Sequence, residues 1–392
     1  MSKLKYLIIC LLLFLIFFFE PEPVGPITFS QLWKIPLFLY LIYQVLIFRK
    51  IKKWSFVKFS YLRAGKSLIN GGMLIAPMAE IISFIKYMMF PLIVEFISIK
   101  VKEISKINVF LLGFAQFVIL SGIPFVFFGL ESRGKVIFEL QEVHGYTGVF
   151  QGPHAASMTT AVAVLVIISF LKNRNLPPKS KIFNSSLLFL GIYFLFLTFV
   201  RTGYAMFAVG LIVMFLPRKL EAKQIVAGTI ILSLLAFGFF YLLETNEFFY
   251  NRIFDIRQGK QTSAGSGRLI FWGAAVDLWS EGNFFELLFG QGLIGLQDKL
   301  FEVTGHRIVA HNEFFNQLAQ NGLLGIIIFI GFLVTLFKFI WRRRSSISYR
   351  LALATFFLYI SLMMTQGGTW FPVDIFMALI FVRLNLEHLD RI

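Results

Sequence analysis

The chain has 392 residues, of which 57% are hydrophobic and only 15% are charged, and its mean hydropathy is +0.77. Soluble domains carry about 25% charged residues, so this composition excludes an ordinary soluble protein. The net charge of +16 lies mainly in short connections between apolar runs. It therefore indicates orientation in a membrane and not a nucleic-acid partner.

Apolar runs long enough to cross a bilayer, roughly 17–25 residues, recur along the whole chain and predict an all-α polytopic membrane protein. The first run follows Lys3 and Lys5, as in a signal peptide. No small-residue cleavage site follows it, so we interpret it as a retained helix. The predicted spans lie at about 4–19, 32–48, 107–128, 153–171, 184–200, 203–217, 224–243, 320–340, 351–366 and 370–386.

The segment from Ser67 to Ile99 does not fit a simple span. It contains two prolines, Glu80 and Lys86, and both its flanks are basic, so it is predicted to cross twice or to re-enter. Two crossings in about 32 residues are tight at 1.5 Å per residue, unless one helix begins earlier. The prediction is a single transmembrane domain over residues 1–392, with about 12 spans and both termini in the cytoplasm; 10 or 11 spans also fit.

Basic residues crowd into a few connections, which the positive-inside rule assigns to the cytoplasm. These residues are Arg49, Lys50, Lys52, Lys53, Lys58, Arg63 and Lys66; Lys172, Arg174, Lys179 and Lys181; Arg218, Lys219 and Lys223; and Lys338, Arg342, Arg343, Arg344 and Arg350.

The longest polar segment, residues 244–310, is predicted to be a large outer-face loop. Because it contains Trp272 and Trp279, we expect it to pack as a structured cap over a membrane-embedded cavity. Residues 268–279 are predicted to form a helix in it. Gly290-Gln291-Gly292 begins a literal dinucleotide glycine pattern, but the strand that such a site needs does not precede it, so a turn is predicted.

Three side chains suggest chemistry near the outer face. His311 stands where the polar loop meets an apolar run, and imidazole exchanges a proton near neutral pH, so it is a candidate general base. Arg201 and Arg268 are candidate phosphate ligands, because guanidinium binds two oxygens at once. In the structural alternative, Arg201 snorkels to lipid headgroups, Arg268 decorates a loop, and His311 only caps a helix or bonds a carbonyl.

No metal is expected. Four histidines are predicted on the outer side, but their spacing does not suit a ligand set and no acidic or thiol cluster accompanies them. These four are His144, His154, His306 and His311.

The order of these residues resembles a known family. His311-Asn312, followed after nine residues by Gly322-x-x-Gly325, resembles the shared motif of the O-antigen ligase and O-antigen polymerase superfamily. The resemblance covers about residues 150–345, and the N-terminal third carries no matching motif. Three further elements are similar to family motifs: Ser266-Gly267-Arg268 with Trp272, the glycines Gly290 and Gly292, and Arg201 before Thr202-Gly203, although Val200 stands where the family often has serine.

The resemblance implies a metal-independent, inverting glycosyltransferase without cofactors, at the outer face of the bacterial cytoplasmic (inner) membrane. Its donor would be an undecaprenyl-diphosphate-linked oligosaccharide, and its acceptor a lipid-linked repeat unit or the lipid A core. His311 would deprotonate the acceptor, while Arg268 and Arg201 would hold the leaving diphosphate. Asn312 and Arg252 are further predicted substrate-binding residues. Membrane lipids and a chain-length regulator are the other predicted partners; nucleic acid is not one.

Several alternatives remain at this stage. A polymerase is preferred because such enzymes are numerous and diverse, while no residue decides against a ligase. A protein O-oligosaccharyltransferase usually has an added C-terminal region, which is not seen after the last span. Glu80 and Lys86 within spans would suit a transporter or flippase of the same glycans, although no internal repeat is seen. A scaffolding protein would have no use for the arginines and His311.

Overall fold

The chain is described by a computed structural model over residues 23–24, 27–48, 54–69, 77–130, 145–150, 152–172, 176–215, 241, 244–245, 256–257, 260–261, 268–305, 307–366 and 370–391. The predicted span 4–19 and nearly all of 224–243 lie outside these residues. So do Arg252, His144 and His306.

The described chain is built of helices, as the sequence predicts. In chain order these are α1 (Phe29–Phe48), α2 (Ser55–Ser67), α3 (Pro77–Lys100), α4 (Ile104–Leu120), α5 (Ile123–Phe127), α6 (Pro153–Leu171), α7 (Pro178–Leu197), α8 (Arg201–Phe215), α9 (Arg268–Ser280), α10 (Phe284–Phe289), α11 (Gly292–Thr304), α12 (Glu313–Trp341), α13 (Tyr349–Gln366) and α14 (Phe371–Leu389). Two antiparallel pairs of two-residue strands also occur: β1 (Pro23–Val24) with β2 (Ile27–Thr28), and β3 (Ile256–Arg257) with β4 (Lys260–Gln261).

Five helical segments of the described chain are long and apolar enough to cross a membrane. They are Met78–Lys100, Ile104–Phe127, Pro153–Leu171, Pro178–Leu197 and Glu313–Trp341. The all-α prediction is therefore confirmed, while the count of about 12 spans and the outer-face loop remain predictions.

Helix α6 lies at the centre of the bundle because it is apolar on every side, as expected of a helix buried all round. Fifteen of its residues are buried, and many of them are small. Gly203 and Gly210 of α8 approach it at Ser157 and Leu165, where an added methyl group would overlap those side chains. Small residues at such crossings allow helices to pack closely without a polar penalty.

One end of the bundle gathers the basic connections. Lys172, just after α6, donates to the carbonyl of Met214 near the end of α8 at 3.4 Å. Arg343, just after α12, donates to Asn385 of α14 at 2.8 Å. We call this the basic end, defined by Lys172, Arg342, Arg343, Arg344 and Arg350. The position of these basic residues at one end agrees with helices that alternate in direction, as the spacing of the basic connections predicts.

The described part of the segment 67–99 contains one long helix, α3, and the neighbouring helix α2 begins before the segment, at Ser55, as the length argument allows. Helix α2 starts near the basic end, where Trp54 packs against Phe339 with ring centroids 5.0 Å apart. The two helices pack side by side, and the number of crossings in this region remains a prediction.

This arrangement corrects the assignment of Arg63 and Lys66 to a cytoplasmic connection. Both lie in α2, each with 6% of its surface exposed. Arg63 forms an ion pair with Glu313, and Lys66 donates to the carbonyl of Phe289. Both partners lie at the opposite end of the bundle from Arg343. The prediction was wrong because it counted charge along the chain, which does not distinguish a solvated lysine from a buried, bonded one.

Candidate active site

Helix α12 is broken at Gly322. Its backbone there has φ 65° and ψ −165°, a region that only glycine adopts readily. The rings of Phe314 and Phe329 lie 5.1 Å apart, whereas 15 residues of straight helix would separate them by about 22 Å. The first part of α12 therefore folds back on the second. We call residues 313–321 the cap half and residues 323–341 the span half.

Glycines make this fold-back possible. A methyl group on Gly290 would lie 2.3 Å from the carbonyl of Gln320, and one on Gly322 would lie 2.5 Å from the carbonyl of Leu288. A methyl group on Gly325 would lie 2.2 Å from Cβ of Asn321. The backbones thus touch directly, and the motif glycines Gly322 and Gly325 have a structural reason. Gly290 has φ 79° and Gly292 has φ 78°, which confirms the predicted turn.

Helices α9, α10 and α11 form a small subdomain on the cap half. The predicted helix at residues 268–279 is confirmed as α9. Its Trp272 donates from Nε1 to the carbonyl of Ala310 at 3.1 Å and stacks on Phe315 with centroids 5.4 Å apart. We call the end of the bundle on which this subdomain packs the cap end. The buried hydrophobic cluster shared by the subdomain and its neighbours consists of Ala274, Ala275, Leu278, Leu296, Leu300, Ala310 and Ala319.

His311 is held by its neighbours on both sides. The amide of Ala310 donates to Oδ1 of Asn316 at 3.0 Å. Oδ1 of Asn312 accepts from the amide of Phe314 at 3.0 Å, so Asn312 is the N-cap of α12. Its side chain is 4% exposed. The structure therefore gives Asn312 a capping role, and contact with substrate remains a prediction.

His311 also has a strained backbone. Among the described residues other than glycine, His311 and Phe199 are those with positive φ, each 51°. Such conformations cost about 1–3 kcal/mol and persist only where the surroundings impose them. Phe199 lies two residues before Arg201, so both strained positions adjoin predicted site residues. This observation points to the cap end as the functional region.

Arg268 and Gln366 set the electrostatics of His311. The backbone of Gln366, at the end of α13, acts on the ring of His311 in the direction that raises its pKa. Burial, together with the positive charge of Arg268, lowers the pKa of His311 below its ordinary value. A lowered pKa favours the neutral form of the imidazole at pH 7, in which one ring nitrogen can accept a proton. Arg268 lies one helical turn before Trp272, which explains why it is near His311.

Arg201 opens α8 at the same end of the bundle. Gly203 meets Ser157 of α6, so the start of α8 lies beside the first turns of α6. There Nδ1 of His154 lies 3.1 Å from the side-chain nitrogen of Gln366. Gln366 thus links His154 to His311. The structure brings His311 and Arg268 within electrostatic range, and it places half-buried Arg201 at the same end.

A buried polar cluster behind His311 was not predicted from the sequence. Glu313, Gln317 and Asn321 follow at intervals of four residues along the cap half, and all are buried. Nε2 of Gln317 donates to Glu313 at 2.8 Å and to the hydroxyl of Tyr87 at 2.9 Å. The spacing of four was a visible signal for one helix face. The sequence gave no signal that residues of α2 and α3 would contact this cluster.

The fold and this site define a helical membrane protein with a buried polar centre at its cap end. Residues 186–330 match the protein family described as O-antigen ligase. The resemblance to the O-antigen ligase and polymerase superfamily is thereby confirmed over the part of the chain that contains Arg201, Arg268 and His311. The match indicates a membrane enzyme of the ligase or polymerase type. No curated protein matches the chain significantly.

Proposed function

We propose that the protein is a glycosyltransferase that takes a glycan from undecaprenyl diphosphate and polymerises surface polysaccharide repeat units. The cap end would face the periplasm or exterior of a bacterial inner membrane. The observation that carries this proposal is the position of His311, which has a left-handed backbone and packs against Phe271 of α9 within electrostatic range of Arg268. An unprotonated imidazole next to a fixed cation suits a reaction that removes a proton and develops negative charge nearby.

In the proposed step, His311 takes the proton of the acceptor hydroxyl as its oxygen attacks the anomeric carbon of the donor sugar. The bond between that carbon and the diphosphate oxygen breaks, and the diphosphate leaves with the electron pair. Attack from the opposite side inverts the anomeric centre. Arg268 and Arg201 stabilise the charge that grows on the leaving diphosphate, because donors fixed before the reaction need no reorganisation during it.

The carbonyl of Gln366 supports the role of His311 as base. The backbone of Gln366 acts on the ring of His311, and in the proposed arrangement its carbonyl accepts one ring N–H, so that the other nitrogen presents its lone pair. His154 holds the side chain of Gln366 in turn. The left-handed backbone of His311 adds a rigid mount. These contacts favour a positioned base over a residue that only caps a helix, since Asn312 already supplies the cap.

Ligation of the finished glycan to the lipid A core is a second candidate. It is favoured by the description of the matching family as O-antigen ligase. The two candidates share the donor, the base and the leaving group, and they differ in the acceptor. They therefore predict different intermediates in cells that lack the protein.

The test compares glycan transfer in a deletion strain complemented with the wild type, His311→Ala or Arg268→Ala. The amount of each variant in the membrane is measured as a control. Loss of more than about 1,000-fold in transfer is expected for His311→Ala, because base and positioning are removed together. For a polymerase, single lipid-linked repeat units accumulate; for a ligase, lipid-linked polymer accumulates. Wild-type product from well-expressed His311→Ala would overturn the proposal.

A further inference from the structure

We propose that Arg63 and Glu313 form a brace that positions His311, so that residues outside the family match act in the reaction through the base. This inference rests on the function proposed above, since it assigns positioning residues to that site. Arg63 lies on α2, which is not part of the matched residues 186–330. Glu313 lies two positions after His311.

The brace joins the cap half to two N-terminal helices. Arg63 forms an ion pair with Glu313, 250 residues away in the sequence, and the side chains are 6% and 1% exposed. The Tyr87 hydroxyl of α3 donates to Oε1 of the same carboxylate at 3.0 Å. The guanidinium also lies over the rings of Tyr87 and Phe329, 4.1 and 4.7 Å from their centroids. With Nε2 of Gln317 at 2.8 Å, three side chains donate to Oε1 of Glu313.

The same two helices hold the glycine turn that packs on the fold-back. Nζ of Lys66 on α2 donates to the carbonyl of Phe289 at 2.8 Å. The carboxylate of Glu80 on α3 accepts from the amide of Leu293 at 2.9 Å. These contacts lie on either side of Gly290 and Gly292. Helices α2 and α3 thus fix both surfaces of the break in α12, the cap half through Glu313 and the turn through its backbone.

Stability alone is a poor reason for this arrangement. Taking two charges out of water costs several kcal/mol per ion, and replacing a buried pair by apolar side chains of similar volume is often neutral or stabilising. A broken helix with a left-handed residue at its entry, however, has several competing conformations. Because the buried pair joins the cap half to another helix, it selects one of these conformations. His311 is connected to Glu313 through the single residue Asn312, so the selected conformation also positions His311.

The test compares transfer by purified protein in liposomes with an undecaprenyl-diphosphate-linked repeat unit as donor. Arg63→Met/Glu313→Leu replaces the pair by apolar groups, so folding should be kept, with an unchanged or higher Tm. We expect kcat to fall about 30-fold, with KM within about twofold, because misplacement by about 1 Å can cost 100-fold. The Arg63→Lys variant keeps the charge and should retain at least a third of the wild-type kcat.

The matched control is the buried pair Arg383 and Glu387 of α14, with Nε and Oε1 2.9 Å apart, near the basic end. Arg383→Met/Glu387→Leu should keep the wild-type kcat. A third variant, Tyr87→Phe, removes only a hydroxyl and should lower kcat about threefold. It tests the brace even if the double variant does not fold, and a wild-type kcat in Tyr87→Phe would then overturn the proposal.

The outcomes separate this inference from the function on which it rests. If His311→Ala abolishes transfer but the folded Arg63→Met/Glu313→Leu protein keeps the wild-type kcat, the brace is wrong and the function stands. Equal losses of kcat in the two double variants would also refute the brace, since the effect would then be general destabilisation. If His311→Ala transfers normally, the function fails first.

Discussion

The cap end and the basic end each contain a buried ion pair, yet the two pairs connect the chain differently. Arg383 and Glu387 are one helical turn apart on α14, and Glu387 also accepts from the amide and hydroxyl of Ser348, each at 2.7 Å. Arg63 and Glu313 are 250 residues apart and join separate helices. One pair ties a helix to its adjoining turn, and the other determines where a broken helix lies.

The backbones of the two ends differ in the same way. Towards the basic end, the span half of α12 is a regular helix that packs by large aromatic contacts, such as Phe56 with Phe339 at 4.8 Å. At the cap end, Gly322 breaks the helix, backbones touch at glycines, and His311 adopts a left-handed conformation. Strain and buried polar groups thus coincide with the proposed site, where position matters more than stability.

The largest effect on this contrast is expected from Gly322→Ala. The new methyl group would meet the carbonyl of Leu288 at 2.5 Å, in a backbone region that alanine avoids. The fold-back should open, and transfer should fall more than about 100-fold, since His311 moves with it. Transfer per folded protein and Tm measure the outcome. Near-normal transfer would mean that the break in α12 is not needed.

Gly273→Ala is the matched control for that substitution. Gly273 lies in the regular helix α9 of the same subdomain, with no atom within 4 Å of an added methyl group. Alanine there should keep transfer and raise stability by up to about 1 kcal/mol, because alanine favours helix over glycine. A loss equal to that of Gly322→Ala would point to general fragility of the cap end.

The pH profile provides a smaller and more specific effect. A base works unprotonated, so its activity is lost as the pH falls through its pKa, and burial with the charge of Arg268 lowers the pKa of His311. The acidic limb of the activity profile should therefore have its midpoint below the ordinary imidazole pKa of about 6.5. Below the midpoint, kcat/KM should fall about tenfold per pH unit. A midpoint above 6.5 would contradict the neutral-base assignment.

Arg268 variants sharpen this measurement. Arg268→Gln removes one of the two causes of the lowered pKa, so the midpoint of its residual activity should move upward. Arg268→Lys keeps a positive charge and should leave the midpoint closer to that of the wild type. Equal midpoints in all three proteins would show that Arg268 does not act on the titrating group.

The smallest effect is expected from Asn283→Ala, which breaks a local contact at the cap end. Oδ1 of Asn283 accepts from the amides of Phe285 and Glu286, and Glu286 accepts from the amide of Asn283 in return. Loss of this capping box should cost about 1 kcal/mol in thermal unfolding, with transfer within about twofold. A tenfold loss of transfer would show that local contacts at the cap end matter as much as long-range ones.

The local sequence predicted much of this protein. Hydropathy predicted a helical membrane protein, and the helix beginning at Arg268 and the turn at Gly290 were predicted correctly. These features depend on neighbouring residues, whose periodicity and turn chemistry can be read along the chain. The motif spacing also made His311, Arg268 and Arg201 candidate site residues, and the structure places them at one end of the bundle.

Only the tertiary structure decided how those residues are held. The sequence predicts a span at 320–340 but does not reveal the break in the helix, because the φ of Gly322 depends on the turn at Gly290 that packs against it. Arg63 read as a cytoplasmic charge, although it pairs with Glu313 inside the bundle. The proximity of the Gln366 backbone to His311 is not visible in the sequence of either segment. Contacts between distant residues arise from packing in three dimensions, which local periodicity does not specify.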